Sequence, residues 1–230
     1  MTIKCITFDL DDTLWDCAPV IQHAERLFYA WLAEHQPRIT RNFSQEQLLS
    51  HRHRWFMQRP ELLHDFTTLR KAWMSALAEQ FDYDQDSVEA GFRVFWEARN
   101  QVKPYDDALE TLETLKPHFV IGAITNGNAD VHHIGIGHYF DFVVTASGAG
   151  AAKPAPEIFM TALDEAGVAA SNALHVGDDA ERDVRGAQQV GMRSAWVNPR
   201  KTPWQGSPQP DVIVTHVAEL TDWLLGPAEA

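Results

Sequence analysis

The sequence predicts an α/β fold: a doubly wound parallel sheet with an inserted helical bundle. Three observations carry that expectation. Short apolar, β-branched runs recur at 3–8, 119–125, 141–145, 173–177, 193–197 and 212–214. Helix-like stretches near 107–116, 156–166, 181–190 and 216–225 alternate with the later runs. From 18 to 99 the strand signals vanish and helical spacing replaces them.

The first run, IKCITF at 3–8, is mostly apolar and stops at acidic residues, as a buried strand does. In the segment that follows, Val20, Ala24, Leu27, Phe28, Trp31 and Leu32 recur at helical spacing. Phe66, Leu69, Trp73 and Leu77 form a second stripe, and Val88, Phe92, Phe95 and Trp96 a third. Ser44 with Gln47 has the form of a capping box ahead of Leu48. These signals predict about four helices. From Tyr105 onward, strand–helix–strand alternation is the pattern of a parallel sheet covered on both faces. The expected organisation is a Rossmann-like core from 1–17 and 100–230, with a helical cap from 18–99.

With 230 residues, 45% of them apolar, the chain has enough material for a sizeable core. Its 19 basic and 32 acidic residues leave a net charge of −13, which argues against nucleic acid and anionic membrane as partners. Should the substrate be a phosphate, a local positive group has to offset that field, and a bound divalent cation is the simplest. Cys5 and Cys17 form no paired framework, so a reducing compartment is expected. No signal peptide is read at the N-terminus, and no run approaches the roughly 20 apolar residues of a membrane span. A soluble cytoplasmic protein is the expectation, with no oligomeric state implied.

Open parallel sheets bind ligands beyond the carboxyl ends of their strands. The first strand ends in Asp9-Leu10-Asp11-Asp12-Thr13. Carboxylates crowded this way need a cation or a proton to coexist, although an acidic surface loop has the same composition. The second ends in Thr125-Asn126-Gly127, where a hydroxyl and an amide suit a phosphoryl oxygen; Asn-Gly is also an ordinary turn. A Gly/Ala-rich loop, 147–152, leads to Lys153-Pro154. It is no Walker loop, and a single lysine is commonly a surface residue. The fourth strand signal ends in Gly177-Asp178-Asp179, with Asp183 beyond. Such oxygen donors suit Mg²⁺, and acids at a helix N-terminus are the competing account. Together, four strand ends supply a nucleophile, an acid/base, oxyanion donors and metal ligands, the inventory for phosphoryl transfer through an aspartyl intermediate.

In this order and spacing the motifs resemble those of the haloacid-dehalogenase-like hydrolases, over nearly the whole chain. The resemblance implies that Asp9 is the nucleophile and Asp11 the acid/base. It places Thr125 and Lys153 on the transferring phosphoryl group with Asn126, Gly127 and Thr13. Mg²⁺ would be held by Asp9, Asp11 through its carbonyl, and Asp178, with Asp183 acting on the metal's waters. Asp179 is left between a surface role and an orienting one. A dehalogenase needs neither Asp11 nor the metal cluster, so the implied activity is phosphomonoester hydrolysis. A phosphonate hydrolase would want a cap lysine, and Lys71 has no special context.

Finer pieces resemble a bacterial subgroup acting on flavin mononucleotide and on 5-amino-6-(5-phosphoribitylamino)uracil in riboflavin biosynthesis. These are FDLDDTLWD, ITNGNA at 124–129, HVGDD at 175–179, and His64-Asp65 ahead of Arg70. Trp15, Asp16 and His64 are the substrate-side candidates, because they lie at the hinge or the expected cap edge. The cap aromatics are expected to be chiefly core, and His51, His53, His132 and His133 to be solvated. The alternatives are a promiscuous sugar-phosphate or nucleotide phosphatase, a mutase, and a non-catalytic phospholigand-binding module.

Overall fold

The computed structural model describes residues 2–226. All six expected strands form: β1 (Cys5–Phe8), β2 (Val120–Thr125), β3 (Phe142–Thr145), β4 (Ala173–Gly177), β5 (Arg193–Val197) and β6 (Val212–Val214). Every neighbouring pair is parallel, in the order β3-β2-β1-β4-β5-β6. The chain departs to opposite sides of β1 for β2 and β4, the point at which an open α/β sheet leaves a ligand crevice. Register fixes what meets there. Phe8 is level with Ala123 on one side and Val176 on the other. Asp9, Ile124-Thr125 and Gly177-Asp178 therefore leave the sheet along one edge.

The chain separates into two compact units, one of Met1–Asp16, Lys103–Gly127 and Val131–Ala230, the other of Cys17–Val102 and Asn128–Asp130. In the first, the fully buried strands read as near-continuous apolar runs because helices cover both faces. Phe159 and Ile158, on the helix Pro156–Ala166, pack with Ile124, Val144 and Met192. Each such fully buried side chain contributes about 1.5–3 kcal/mol. That helix starts with Pro156 in its first turn and stops at Gly167, which takes a left-handed φ of 63°.

The second unit holds α1 (Cys17–His35), α2 (Pro37–Asn42), α3 (Gln45–Met57), α4 (Phe66–Gln80) and α5 (Ser87–Arg99). This is one α-helix more than expected: α2 buries only Ile39, so it has no periodicity to read. The capping box forms, with Ser44 Oγ accepting from Gln47 N and Ser44 N donating to Gln47 Oε1. The apolar stripes need two corrections. Leu27 and Phe66 are 39% and 38% exposed, while Glu25 is buried. Phe66 is the first residue of α4, where a helix face is incomplete, and Glu25 is drawn inward by Arg52 and Arg70.

Candidate active site

A buried lysine organises the crevice of the first unit. Lys153 is 5% exposed, and its ammonium donates to Asp9 Oδ1 at 2.5 Å, Asp183 Oδ1 at 2.6 Å and Ile124 O at 2.8 Å. All three ammonium protons are thereby used. The backbone of Lys153 is held as firmly. Asn126 Nδ2 donates to its carbonyl at 3.0 Å, and its N–H donates to Asn126 Oδ1 at 2.7 Å. The Lys153-Pro154 peptide is cis.

Asp9 leaves β1 with its N–H donating to Val176 O at 2.8 Å. The turn after it is tight. Leu14 N donates to Leu10 O at 2.9 Å, Asp12 N to Trp15 O at 2.7 Å, and Asp12 takes a left-handed φ of 62°. Aspartate tolerates that region better than most residues. The turn places Thr13 Oγ1 3.3 Å from Asp9 Oδ2 and 3.5 Å from Asp178 Oδ1, so one hydroxyl faces both carboxylates. Trp15, fully buried, donates its indole N–H to Asp11 Oδ1 at 2.9 Å. Asp16 accepts from Tyr105 Oη at 2.6 Å.

At the end of β2, Thr125 is buried and its Oγ1 accepts from Gly127 N at 3.0 Å, leaving the hydroxyl proton free to donate elsewhere. The side chain of Asn126 is committed to Lys153. His64 lies in the second unit, half-buried in the turn before α4.

Beyond β4, Asp183 sits on a π-helical segment, Ala180–Arg185. Its Oδ1 accepts from Lys153 and lies 3.2 Å from His175 Nε2, and its Oδ2 accepts from Asp179 N at 2.9 Å. Gly177 makes this packing possible. A Cβ there would stand 2.3 Å from Asp183 Cγ. Asp179 caps the π-helical segment, accepting from Glu181 N at 2.9 Å and Arg182 N at 2.8 Å. The competing account of helix N-terminal acids thus holds for Asp179. Trp196 Nε1 donates to Asp178 O at 2.8 Å, fixing the backbone that carries Asp178.

Ligand oxygens of Asp9, Asp178 and Asp183 lie within 4.8 Å of one another. Burial opposes the charged form of Asp183, but Lys153 and His175 hold its carboxyl well below the usual range. Burial pushes Asp9 up to about 8, Lys153 opposing the rise and Asp183 adding to it. Burial would lower Lys153, yet Asp183 and Asp9 raise it to about 12, so it stays charged. Asp178 rises to about 7 through burial and the charges of Asp183, Asp12 and Asp179. A single ammonium shared by two carboxylates compensates one of them, and Asp178 has no cation of its own in this cluster. The cluster is short of positive charge, and its donors are all oxygens. That combination fits a hard divalent cation.

Sequence reasoning had left His175 and Thr7 without a role. His175 Nδ1 lies 2.9 Å from Thr7 Oγ1 and its Nε2 faces Asp183, so a buried pair backs the site from inside the sheet. The signal was a polar residue in the otherwise apolar run ALHVG, because a buried polar group needs a partner.

The haloacid dehalogenase-like hydrolase family matches residues 3–191, which span the parallel sheet through β4 and the strand-end Asp-Lys-Asp centre. The chain belongs to that family. Among characterised relatives, the 5-amino-6-(5-phospho-D-ribitylamino)uracil phosphatase YigB of Escherichia coli K12 is 32% identical, over 95% of each chain. The glyceraldehyde 3-phosphate phosphatase of Methanopyrus kandleri is 28% identical over 96% of each. A crystal structure of a 2-haloacid dehalogenase from Pseudomonas syringae pv. Tomato DC3000 superposes with a TM-score of 0.91. It is 40% identical, covering 97% of this chain and 99% of that one. The protein is a phosphatase of this family. No helix among the described residues is long and apolar enough to cross a membrane.

Proposed function

We propose that this protein is a Mg²⁺-dependent phosphomonoesterase of the cytoplasm that works through an aspartyl-phosphate on Asp9. Its proposed substrate is the riboflavin precursor 5-amino-6-(5-phosphoribitylamino)uracil or flavin mononucleotide. The observation that carries the mechanism is Lys153 bridging Asp9 and Asp183. It points one carboxylate oxygen of Asp9 at the ammonium and leaves the other beside Thr13. The substrate assignment rests on the likeness to YigB over 95% of the chain. In this reading 1–17 with 100–230 form the catalytic core and 18–99 the substrate-selecting cap.

Asp9 attacks phosphorus, the bond from phosphorus to the ester oxygen breaks, and Asp11 protonates the departing oxygen. Trp15 holds Asp11 for that transfer through its indole N–H. Water then attacks the aspartyl-phosphate, Asp11 takes its proton, and inorganic phosphate leaves with Asp9 regenerated. Thr125 donates its hydroxyl proton to a phosphoryl oxygen, alongside backbone near Asn126 and Gly127. Mg²⁺ would be held by Asp9, the carbonyl of Asp11 and Asp178, with Asp183 anchoring the surroundings, and would neutralise charge on the transferring group. His64 is the proposed selector of the organic part, whereas Trp15, fully buried with its indole N–H on Asp11, serves the acid/base instead.

Dehalogenation is the second reading, favoured by the likeness to the Pseudomonas syringae protein. Asp11 and Asp178 weigh against it, since displacement of halide needs no acid at the first position and no cation at the second. The test is product release from flavin mononucleotide, the riboflavin precursor, sugar phosphates, nucleotides and a 2-haloacid, with and without Mg²⁺. Mg²⁺-dependent phosphate release led by the flavin-type substrates supports the proposal. Broad phosphate release removes the pathway assignment and keeps the mechanism, and halide release without Mg²⁺ overturns both.

A further inference from the structure

The second unit contains a cavity of about 750 Å³, within the size range of small-molecule sites. Arg26, Arg52, Arg54, His53 and Glu25 are among its lining residues, all from α1 and α3. In a chain with 19 basic and 32 acidic residues, three arginines to one glutamate reverse the local sign of charge.

Arg52, one of the three, and Arg70, which shares its carboxylate partner, are also incompletely paired. Glu25 is 6% exposed, and its Oε1 accepts from both Arg52 and Arg70. One carboxylate balances one guanidinium, so a positive charge is left over in a desolvated place. Arg70, 6% exposed, lies with its guanidinium 3.3 Å from the Phe95 ring centre, and its Nη1 has no hydrogen-bond partner. Arg52 Nε is likewise buried without a partner, while Arg52 itself lines the cavity. Buried donors of this kind are costly to leave unmade. Burial pushes Arg70 down to about 10, Glu25 opposing the fall and the neighbouring Arg52 adding to it.

We propose that this cavity binds a small oxyanion, a phosphate or a paired carboxylate, through Arg52 with Arg26 and Arg54 on its walls. Guanidinium groups suit such ligands because their planar donors match two oxygens at once. The site is made wholly of second-unit residues and uses none of the Asp9 cluster, so it stands whether or not the proposed substrate is right.

Calorimetric titration of the full chain, free of divalent cation, with inorganic phosphate and separately with malonate tests this and separates the two ligand types. The wild type is expected to bind at least one probe saturably. Arg52→Gln should weaken that binding about tenfold or more, a loss of roughly 1.4 kcal/mol. Arg54→Gln, at an exposed position away from Glu25, should weaken it about threefold and provides the test should Arg52→Gln fail to fold. Lysine at position 52 should restore part of the affinity. Absence of saturable binding by the wild type, or equal affinity in every folded variant, overturns the proposal.

Discussion

Asn126 and Lys153 exchange two hydrogen bonds: the amide nitrogen of Asn126 donates to the Lys153 carbonyl at 3.0 Å, and its oxygen accepts from the Lys153 N–H at 2.7 Å. The side chain of one residue thus substitutes for a strand partner of the other. It joins the end of β2 to the loop that carries the buried ammonium. Asn126→Ala should leave two backbone groups unpaired and cost about 1–3 kcal/mol. Because Lys153 would lose its fixed position, turnover should fall about 10–100-fold with a smaller change in KM. Steady-state kinetics beside thermal unfolding checks this, and full activity in a folded variant would contradict the anchoring role.

Lys153 itself sits between two carboxylates that cannot leave the site. Lys153→Met preserves the stem and deletes the charge. Removing one partner of a buried ion pair typically costs about 3–5 kcal/mol. The sign of the pH effect follows from the carboxylates left behind. Without the ammonium, only His175 and the Asp179 N–H are left to oppose burial at Asp183, and its carboxyl rises. Its folded-state affinity for protons then exceeds the unfolded one, so stability falls as pH rises. Denaturant unfolding of this variant from about pH 4 to 8 should show the deficit growing with pH, while turnover is abolished throughout.

Much of this was legible in the sequence because buried strands announce themselves as apolar runs: β1 and β4 are buried throughout, and even the partly exposed β3 and β6 kept enough apolar, β-branched residues to be read. The short helix α2 did not, since a single buried residue makes no period. Carboxylates at strand ends were readable as a group, but their division of labour was not. Asp179 and Asp183 stand four apart, and only the π-helical backbone shows that one caps the segment while the other reaches Lys153. Glu25 was invisible for a related reason. Its partners Arg52 and Arg70 lie on other helices, and helical spacing carries no information about which charged residue turns inward.

Metal binding should be coupled to protons. Burial and the neighbouring carboxylates raise Asp178 to about 7, and burial raises Asp9 to about 8. A cation must displace those protons, so affinity for Mg²⁺ should rise with pH, by about a hundredfold per unit below 7 where both are bound and about tenfold per unit between 7 and 8, and level off above 8. Calorimetry in two buffers of different ionisation enthalpy counts the protons released. A flat affinity profile across this range would show that the cluster is not where the ion binds.

Gly177 is required by a close approach. Its φ is unexceptional, but an added Cβ would meet Asp183 Cγ at 2.3 Å and Oδ2 at 2.4 Å. Neither atom can move cheaply, because Asp183 is held by Lys153, His175 and the Asp179 N–H. Gly177→Ala should therefore cost about 1–3 kcal/mol by overpacking and lower turnover at least tenfold. Gly167→Ala, far from any neighbour but at positive φ, is the control. It should destabilise through backbone strain and leave turnover intact.

His175 tests whether the buried backing of the site matters to chemistry as well as to folding. The residue is fully buried, lies edge-on to Phe159 at 5.2 Å, and links Thr7 to Asp183. His175→Phe keeps a ring against Phe159 and removes both polar links. Thr7 Oγ1 retains only its long contact to Leu174 O at 3.5 Å, and Asp183 retains Lys153 and the Asp179 N–H. The unmade hydrogen bonds should cost about 1–3 kcal/mol. Since His175 acts on the site through Asp183 and Lys153, its loss should lower kcat and leave KM nearly unchanged. His175→Gln, which can present one donor and one acceptor, should recover part of kcat. A variant whose kcat matches the wild type despite reduced stability would confine His175 to the fold and leave Lys153 positioned by Asn126, Asp9, Asp183 and the Ile124 carbonyl without its help.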